Sequence, residues 1–177
     1  MKKIYIVATN TGTLFSRLLR IVTNEKYVHV SISLDKKFKK IYSFGRKEPK
    51  RILPAGFVNE KLDQICEVFN NSVCRIYELE ITDEQYYRLK YELKQNYIKN
   101  AIKYKYNIRG LPFINFNLAY RRKYHYVCSQ FCGKLLMDAG IIDFKKDYSI
   151  VKPKDLMELN HLKLIYEGKT LDYLETI

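Results

Sequence analysis

Five short segments of the chain are rich in β-branched and aromatic residues, a composition typical of β-strands. They predict strands at residues 2–9, 27–34, 41–46, 74–81 and 162–167. The second segment also alternates, with apolar residues at positions 28, 30, 32 and 34 and polar residues at 29, 31 and 33. Because successive side chains of a strand point to opposite faces, it predicts a strand with one polar face that includes His29.

Apolar positions spaced by three and four residues predict helices elsewhere. Such stripes occur in residues 13–23, in residues 86–97 and from Cys128 to Ala139. Thr82 and Gln85 precede the second stripe in the pattern of a capping box, in which two residues satisfy each other's backbone N–H groups. Gly140 follows the third stripe, where a glycine commonly ends a helix. A shorter helix is expected near residues 152–159.

Three segments have weaker patterns. Residues 47–56 contain two prolines and a glycine, which predict a surface loop. Residues 56–73 allow no assignment. Residues 104–124 include Gly110 and Pro112 and have few helical spacings, so we expect a long loop before the cysteine segment. Loops of that length in compact domains are often lids or binding loops.

The length of 177 residues fits a single domain, 1–177, large enough to bury a core without disulfide or metal staples. Lysine and arginine outnumber aspartate and glutamate by 32 to 19, which gives a net charge of +13. This basic protein should attract anionic partners. No recognised nucleic-acid-binding motif accompanies the charge, so no specific nucleic acid is expected as a partner.

The first apolar run, Ile4 to Ala8, is shorter than the apolar core of a secretory signal. No segment approaches the roughly 20 apolar residues that a transmembrane helix needs. We therefore expect a cytoplasmic protein whose four cysteines are reduced thiols.

Cys128 is predicted to lie in the first turn of its helix, where exposed backbone N–H groups stabilise a thiolate. A thiolate nucleophile also needs an imidazole that accepts its proton and later passes it to the leaving group. Of the three histidines, His29 is the best partner, because a strand orients its ring. His125 lies in an extended stretch of uncertain direction and His161 in a polar turn, so they rank second and third.

Two motifs strengthen this hypothesis. "YVHVSISLDKKFKKIYSF", at residues 27–44, followed by "YVCSQFCGKLL", at residues 126–136, resembles the NlpC-like branch of papain-like cysteine hydrolases in its circularly permuted form. The YiiX-like amidases or peptidases and lecithin retinol acyltransferase are the relatives in question. In that superfamily a histidine opens one strand and a cysteine opens a helix packed on it, and the matching positions here are His29 and Cys128.

The resemblance implies an α+β papain-like fold, a small antiparallel sheet packed against helices, and cleavage of an amide bond without metal or cofactor. It also implies a polar residue on the following strand that orients the imidazole. Ser43 lies nearest to that position, although a serine contributes no carboxylate charge. Glu60 would take the role only if its segment folds back over the site. Tyr126, Asn10 and Gln130 are conceivable donors to a reaction oxyanion, with Gln130 the least favoured.

Other interpretations of these residues remain open. Cys66, Cys74, Cys128 and Cys132, with His125, contain a zinc-type ligand set, but their spacing does not fit a zinc knuckle. A catalytically weak binding module of the same fold is a stronger competitor. An acyltransferase or thioesterase acting on lipid acyl groups is a third. The hypothesis we carry forward is a cysteine amidase or peptidase acting on a peptide-like or acyl substrate, which the basic surface would suit if it is anionic.

Overall fold

The computed structural model describes residues 1–13, 16, 25–48, 51 and 53–176. Over these ranges the strands are β1 (Lys2–Asn10), β2 (His29–Ser33), β3 (Ile41–Arg46), β4 (Ala55–Glu60), β5 (Val73–Ile81), β6 (Lys105–Tyr106), β7 (His125–Tyr126) and β8 (Lys163–Lys169). The α-helices are α1 (Leu62–Val68), α2 (Asp83–Glu92), α3 (Leu111–Asn115), α4 (Cys128–Asp138), α5 (Pro153–Met157) and α6 (Thr170–Leu174). A π-helical turn, Leu93–Ile98, continues α2, and short 3₁₀ turns lie at Ala101–Lys103, Ile108–Gly110 and Tyr148–Ile150.

The architecture is α+β, built on a six-stranded antiparallel sheet in the order β4-β3-β2-β1-β5-β8. Strands β6 and β7 form a separate parallel pair. The expected antiparallel sheet with packed helices is therefore confirmed at this level. Among the described residues, no helix is both long and apolar enough to cross a bilayer.

Both faces of the sheet are buried. On one face, β1, β2 and β3 pack against α2 and α4 in a cluster that includes Ile6, Ile32, Phe44, Phe131 and Leu135. On the other face, α1 and α6 cover a second cluster that includes Tyr5, Val7, Ile65, Cys74 and Tyr173. The central strands thus have apolar residues on both faces, as expected of strands that solvent does not reach.

The predicted polar face of β2 is not a solvent face. Ser31 and Ser33 are almost completely buried, and their hydroxyls are satisfied by backbone groups. Ser31 Oγ donates to the Val7 carbonyl oxygen at 3.2 Å, and Ser33 Oγ donates to that of Lys40 at 3.1 Å. A short hydroxyl that bonds to the backbone is compatible with a core, so the polar face of β2 lies within the protein.

Local signals predicted several elements correctly. Strands lie within or overlap all five predicted segments. Helix α2 begins with a capping box, in which Thr82 Oγ1 accepts from the Gln85 N–H at 3.1 Å and Gln85 Oε1 accepts from the Thr82 N–H at 3.0 Å. Helix α4 begins at Cys128, and Gly140 follows it with a φ of +67°.

All three of the weaker segments contain structure that the sequence did not predict. Residues 55–60, divided between the expected loop and the unassigned segment, form β4. The expected long loop at 104–124 contains β6 and α3. Of the predicted helix at 13–23, only Thr13 and Ser16 are among the described residues, and its stripe, Leu14, Leu18, Ile21 and Val22, lies outside them.

Candidate active site

Cys128 is the first residue of α4, and it is buried against β2. Its Sγ lies 3.9 Å from the Val28 carbonyl oxygen. The preceding residue, Val127, has no polar side chain, so the N–H groups of the first turn are not capped by it. The thiol therefore lies at the positive end of an eleven-residue helix, a position that stabilises a thiolate.

His29 is the first residue of β2, at the end of that strand nearest Cys128. Antiparallel pairing with β1, in which His29 lies opposite Thr9, fixes its backbone. The imidazole and the Cys128 side chain lie close enough to shift each other's pKa. Gly45 lies beside the ring, since a Cβ on this glycine would stand 3.5 Å from His29 Cε1. The strand and the helix thus bring together the two residues that the sequence paired.

Glu60 completes the group. It is the last residue of β4, and pairing of β4 with β3 carries it to the site although 31 positions separate it from His29. Glu60 Oε2 lies 3.5 Å from His29 Nε2, and the two side chains are 27% and 25% exposed. Neither atom makes a hydrogen bond to a described residue, so the contact between them is a charge pair. The carboxylate is therefore placed beside Nε2 of the imidazole, where it can orient the ring.

The electrostatics favour charge separation between the thiol and the ring. Burial acts to lower the pKa of His29, but the neighbouring Cys128 and Glu60, with their negative charges, outweigh it and raise that pKa. Burial likewise acts to raise the pKa of Cys128, yet the neighbouring His29, with its positive charge, outweighs it and lowers that pKa. Both shifts act toward a thiolate next to an imidazolium.

Ser43, expected beside the imidazole, has another role. Its hydroxyl is fully buried and donates to the Val30 carbonyl oxygen at 2.7 Å. This hydrogen bond joins β3 to the backbone of β2, so the hydroxyl has a structural role. The structure therefore places Glu60, and not Ser43, against His29, with a carboxylate where the sequence pointed to a serine.

The other two histidines are placed elsewhere. His125 Nδ1 lies 2.8 Å from the Lys123 carbonyl oxygen, in the short strand β7. His161 lies in the turn before β8 with a φ of +64°. Their lower rank as partners of the cysteine agrees with these positions.

Two of the three expected oxyanion donors already have hydrogen-bond partners, and the third is a core aromatic residue. Asn10 Nδ2 donates to the Lys26 carbonyl oxygen at 3.0 Å, and Gln130 Nε2 donates to that of Ser149 at 2.8 Å. The Tyr126 ring packs among the core aromatics, including Phe44 at a centroid distance of 5.4 Å.

Tyr106, which sequence reasoning missed, lies at the site instead. It lines the spaces on both sides of the Cys128–His29 pair. Burial raises the pKa of its phenol well above the ordinary value, and the negative charge of Cys128 adds to this effect. The phenol is thus a protonated hydrogen-bond donor near the thiolate at neutral pH. Its place in the predicted loop left no local signal that could have identified it.

Two spaces flank the pair. The cleft on the His29 side has hydroxyl and charged groups, among them Thr9, Thr11, Thr13, Arg46 and Glu60, together with apolar residues that include Phe44, Ile65 and Phe69. The cavity on the Cys128 side has a volume of about 280 Å³. Its lining is largely apolar and includes Val28, Leu111, Ile114, Val127 and Pro153. Three charged residues also line it: Glu25, Lys152 and Lys154. We call these spaces the hydroxyl cleft and the apolar cavity.

The remaining cysteines do not share the site. Cys74 lies in the cluster covered by α1 and α6, and Cys66 is a buried residue of α1, whereas Cys128 and Cys132 lie in the cluster on the opposite face of the sheet. The sheet therefore separates the two pairs, which rules out a common zinc site for all four thiols. Burial raises the pKa of Cys74 to about 11 and that of Cys132 well above its ordinary value.

No protein-family model matches the chain, and a search of curated proteins finds no match.

Proposed function

We propose that the protein is a cysteine hydrolase of the amidase or peptidase type, with a papain-like fold in permuted order. The observation that carries this proposal is the pairing of Cys128, at a helix N-terminus, with His29, which lowers the pKa of the thiol and whose ring is contacted in turn by Glu60. A nucleophile, a base beside it and a carboxylate that orients the base form the arrangement found in acyl-transfer enzymes. The resemblance of the two sequence motifs to NlpC-like hydrolases supports it independently.

In the proposed reaction, the Cys128 thiolate attacks the carbonyl carbon of an amide or ester and forms a C–S bond. The oxyanion of the tetrahedral intermediate accepts hydrogen bonds from the first-turn N–H groups of α4 and from the Tyr106 hydroxyl. The His29 imidazolium then gives its proton to the leaving nitrogen or oxygen as that bond breaks. Glu60 holds the ring and stabilises its positive charge throughout.

The second half returns the enzyme to its starting state. Neutral His29 takes a proton from water, and the resulting hydroxide attacks the thioester carbonyl. The C–S bond breaks, the acid product leaves, and the thiolate–imidazolium pair forms again. An alcohol or amine acceptor in place of water would give acyl transfer by the same steps.

The two spaces orient the substrate in this proposal. His29 protonates the leaving group, so that group lies in the hydroxyl cleft, which contains His29. The acyl group then lies in the apolar cavity, which contains Cys128. The cavity favours an apolar acyl group, and this observation keeps acyl transfer or thioester hydrolysis as the second candidate function.

Acylation of the protein tests the proposal without knowledge of the natural substrate. The protein is mixed with p-nitrophenyl butyrate, and intact-protein and peptide mass spectrometry locate any butyryl adduct. We expect one adduct on Cys128, none in Cys128→Ala, and an unchanged adduct in the matched control Cys132→Ala. Acylation that persists in Cys128→Ala, or neither an adduct nor Cys128-dependent nitrophenolate release in the folded wild-type protein, would contradict the proposal.

A further inference from the structure

An exposed apolar segment follows β6 and leads into α3. Within residues 108–118, the exposed fractions are 44% for Ile108, 37% for Phe113, 76% for Phe116 and 55% for Leu118. Single exposed apolar side chains are normal on soluble proteins, whereas several together mark an interaction surface. This concentration distinguishes the segment from a solvated loop.

The same segment has a defined inner side. Ile114 is buried, and with Leu111 it lines the apolar cavity next to Cys128. Phe113 stacks on Tyr120 with ring centroids 4.5 Å apart and an interplanar angle of 11°. The fold therefore holds α3 with Leu111 and Ile114 toward the cavity and Phe116 toward solvent. The exposed residues are presented by a packed element whose other side contacts the candidate site.

The charge around this segment has a single sign. Residues 93–137 contain no aspartate or glutamate, and they contain nine lysines and arginines: Lys94, Lys99, Lys103, Lys105, Arg109, Arg121, Arg122, Lys123 and Lys134. Two of these cations form ion pairs with carboxylates outside residues 93–137: Arg121 pairs with Asp147, and Lys134 pairs with Asp138. Much of the net charge of +13 thus comes from this region.

We propose that this surface docks on an anionic lipid membrane. The basic apolar face, as we name it, consists of Ile108, Arg109, Phe113, Phe116, Leu118, Arg122 and Lys123. Apolar side chains that enter the acyl boundary, next to cations that bind anionic headgroups, are the features of an interfacial anchor. The aliphatic Ile108 and Leu118 suit hydrocarbon better than nucleobases, and the Phe113 ring is already stacked on Tyr120. A lipid surface therefore fits better than nucleic acid.

Docking in this orientation would place the apolar cavity next to the membrane, because α3 contributes to both. An amphiphilic substrate would then reach Cys128 from the lipid phase. This consequence rests on the proposed function, whereas docking itself requires no catalysis and is measured separately.

Vesicle co-sedimentation tests the docking. The full chain is mixed with vesicles of phosphatidylcholine alone or with phosphatidylglycerol added, at low salt and at about 0.5 M salt, where screening is strong. We expect binding to the anionic vesicles at low salt, weak binding to the neutral ones, and release by salt. Cys128→Ala should bind as the wild type does, which separates this test from that of the enzyme.

Paired variants test which residues anchor the protein. Phe116→Ser with Leu118→Ser should weaken binding at least about tenfold, given the apolar area removed. The matched control is Tyr87→Ser with Tyr91→Ser on α2, where two rings are 62% and 61% exposed. This control should bind normally.

A second pair tests the charges. Arg109→Gln with Lys123→Gln should weaken binding by about fivefold for each charge. Lys36→Gln with Lys37→Gln, exposed in the turn between β2 and β3, should have little effect. Circular dichroism confirms that each variant is folded.

Two results would overturn the proposal. One is the absence of binding to anionic vesicles, or binding that both pairs of target variants leave unchanged. The other is that the wild-type protein binds polyuridylate but not vesicles, and that the same variants abolish the binding of polyuridylate. That result would assign the surface to nucleic acid.

Discussion

Cys128 and Cys132 lie one turn apart on α4, and both are buried against β2, yet their thiols differ in character. Each Sγ approaches a β2-side carbonyl oxygen, that of Val28 at 3.9 Å and that of Val30 at 3.7 Å. Burial raises the pKa of Cys132 well above its ordinary value, whereas His29 reverses the effect of burial at Cys128. Burial alone makes a thiol inert, and a buried imidazole partner makes it a thiolate.

The largest expected effect is that of His29→Ala. Without the imidazole, burial alone acts on Cys128, so its pKa should rise toward that of Cys132 and the two thiols should become alike. The rate of acylation by p-nitrophenyl butyrate should fall by a factor on the order of 10³, as expected for loss of a general acid–base. Stopped-flow release of nitrophenolate measures this rate, and a loss of less than tenfold would contradict the assigned role.

The next effect is that of Tyr106→Phe, which removes one hydroxyl beside the thiolate and retains the ring. We expect kcat to fall by about 10²-fold with little change in KM, because an oxyanion donor acts mainly in the transition state. Steady-state kinetics with the same ester separate the two constants. A change confined to KM would assign Tyr106 to substrate binding.

Glu60→Gln should have a smaller effect. The amide has nearly the size of the carboxylate but no charge, so the pKa of His29 should fall and the thiolate fraction of Cys128 with it. One unit of pKa corresponds to about tenfold in rate, which is the loss that we expect. Alkylation of Cys128 by iodoacetamide at pH 7 measures it.

Ser43→Ala is the matched control for Glu60→Gln. Its hydroxyl donates to the Val30 carbonyl oxygen, and its loss should cost about 1 kcal/mol in the free energy of unfolding without changing the rate. If Ser43→Ala slowed alkylation and Glu60→Gln did not, the assignment of the third residue would be reversed.

The smallest effect is expected for Cys132→Ala. This substitution leaves a small cavity in the core, so the free energy of unfolding should fall by about 1 kcal/mol, measured by urea titration. Acylation of Cys128 should be unchanged. A large loss of acylation would show that the two turns of α4 are coupled.

The sequence could predict those parts of the site that depend on local patterns, but not those that depend on pairing between distant strands. The strand with His29 and the helix with Cys128 are specified by local patterns, and so is the capping box at Thr82 and Gln85. Glu60 and Tyr106 reach the site by different means. Glu60 arrives through the pairing of β3 with β4, and Tyr106 through the short pair β6 and β7. Such pairing depends on residues far apart in the chain, which local periodicity does not contain.

Ser43 shows the limit of an argument from position on a strand. It lies on the strand after His29, where a third residue is expected, but the backbone of β2 takes its hydroxyl. The strand β4 was missed because Pro54 and Gly56 at its start are turn signals. A Pro next to an edge strand is nevertheless compatible with the sheet, since an edge leaves N–H groups unpaired.

The most direct test of the central claim is the pH dependence of alkylation of each cysteine, read by mass spectrometry in the native protein and in His29→Ala. We predict that the Cys128 rate rises through a pKa below the reference of about 8.5 and that Cys132 stays slow at the same pH values. In His29→Ala the Cys128 midpoint should move above that reference. A Cys128 that reacts as slowly as Cys132 in the wild type, unaffected by His29, would contradict the thiolate–imidazolium pair.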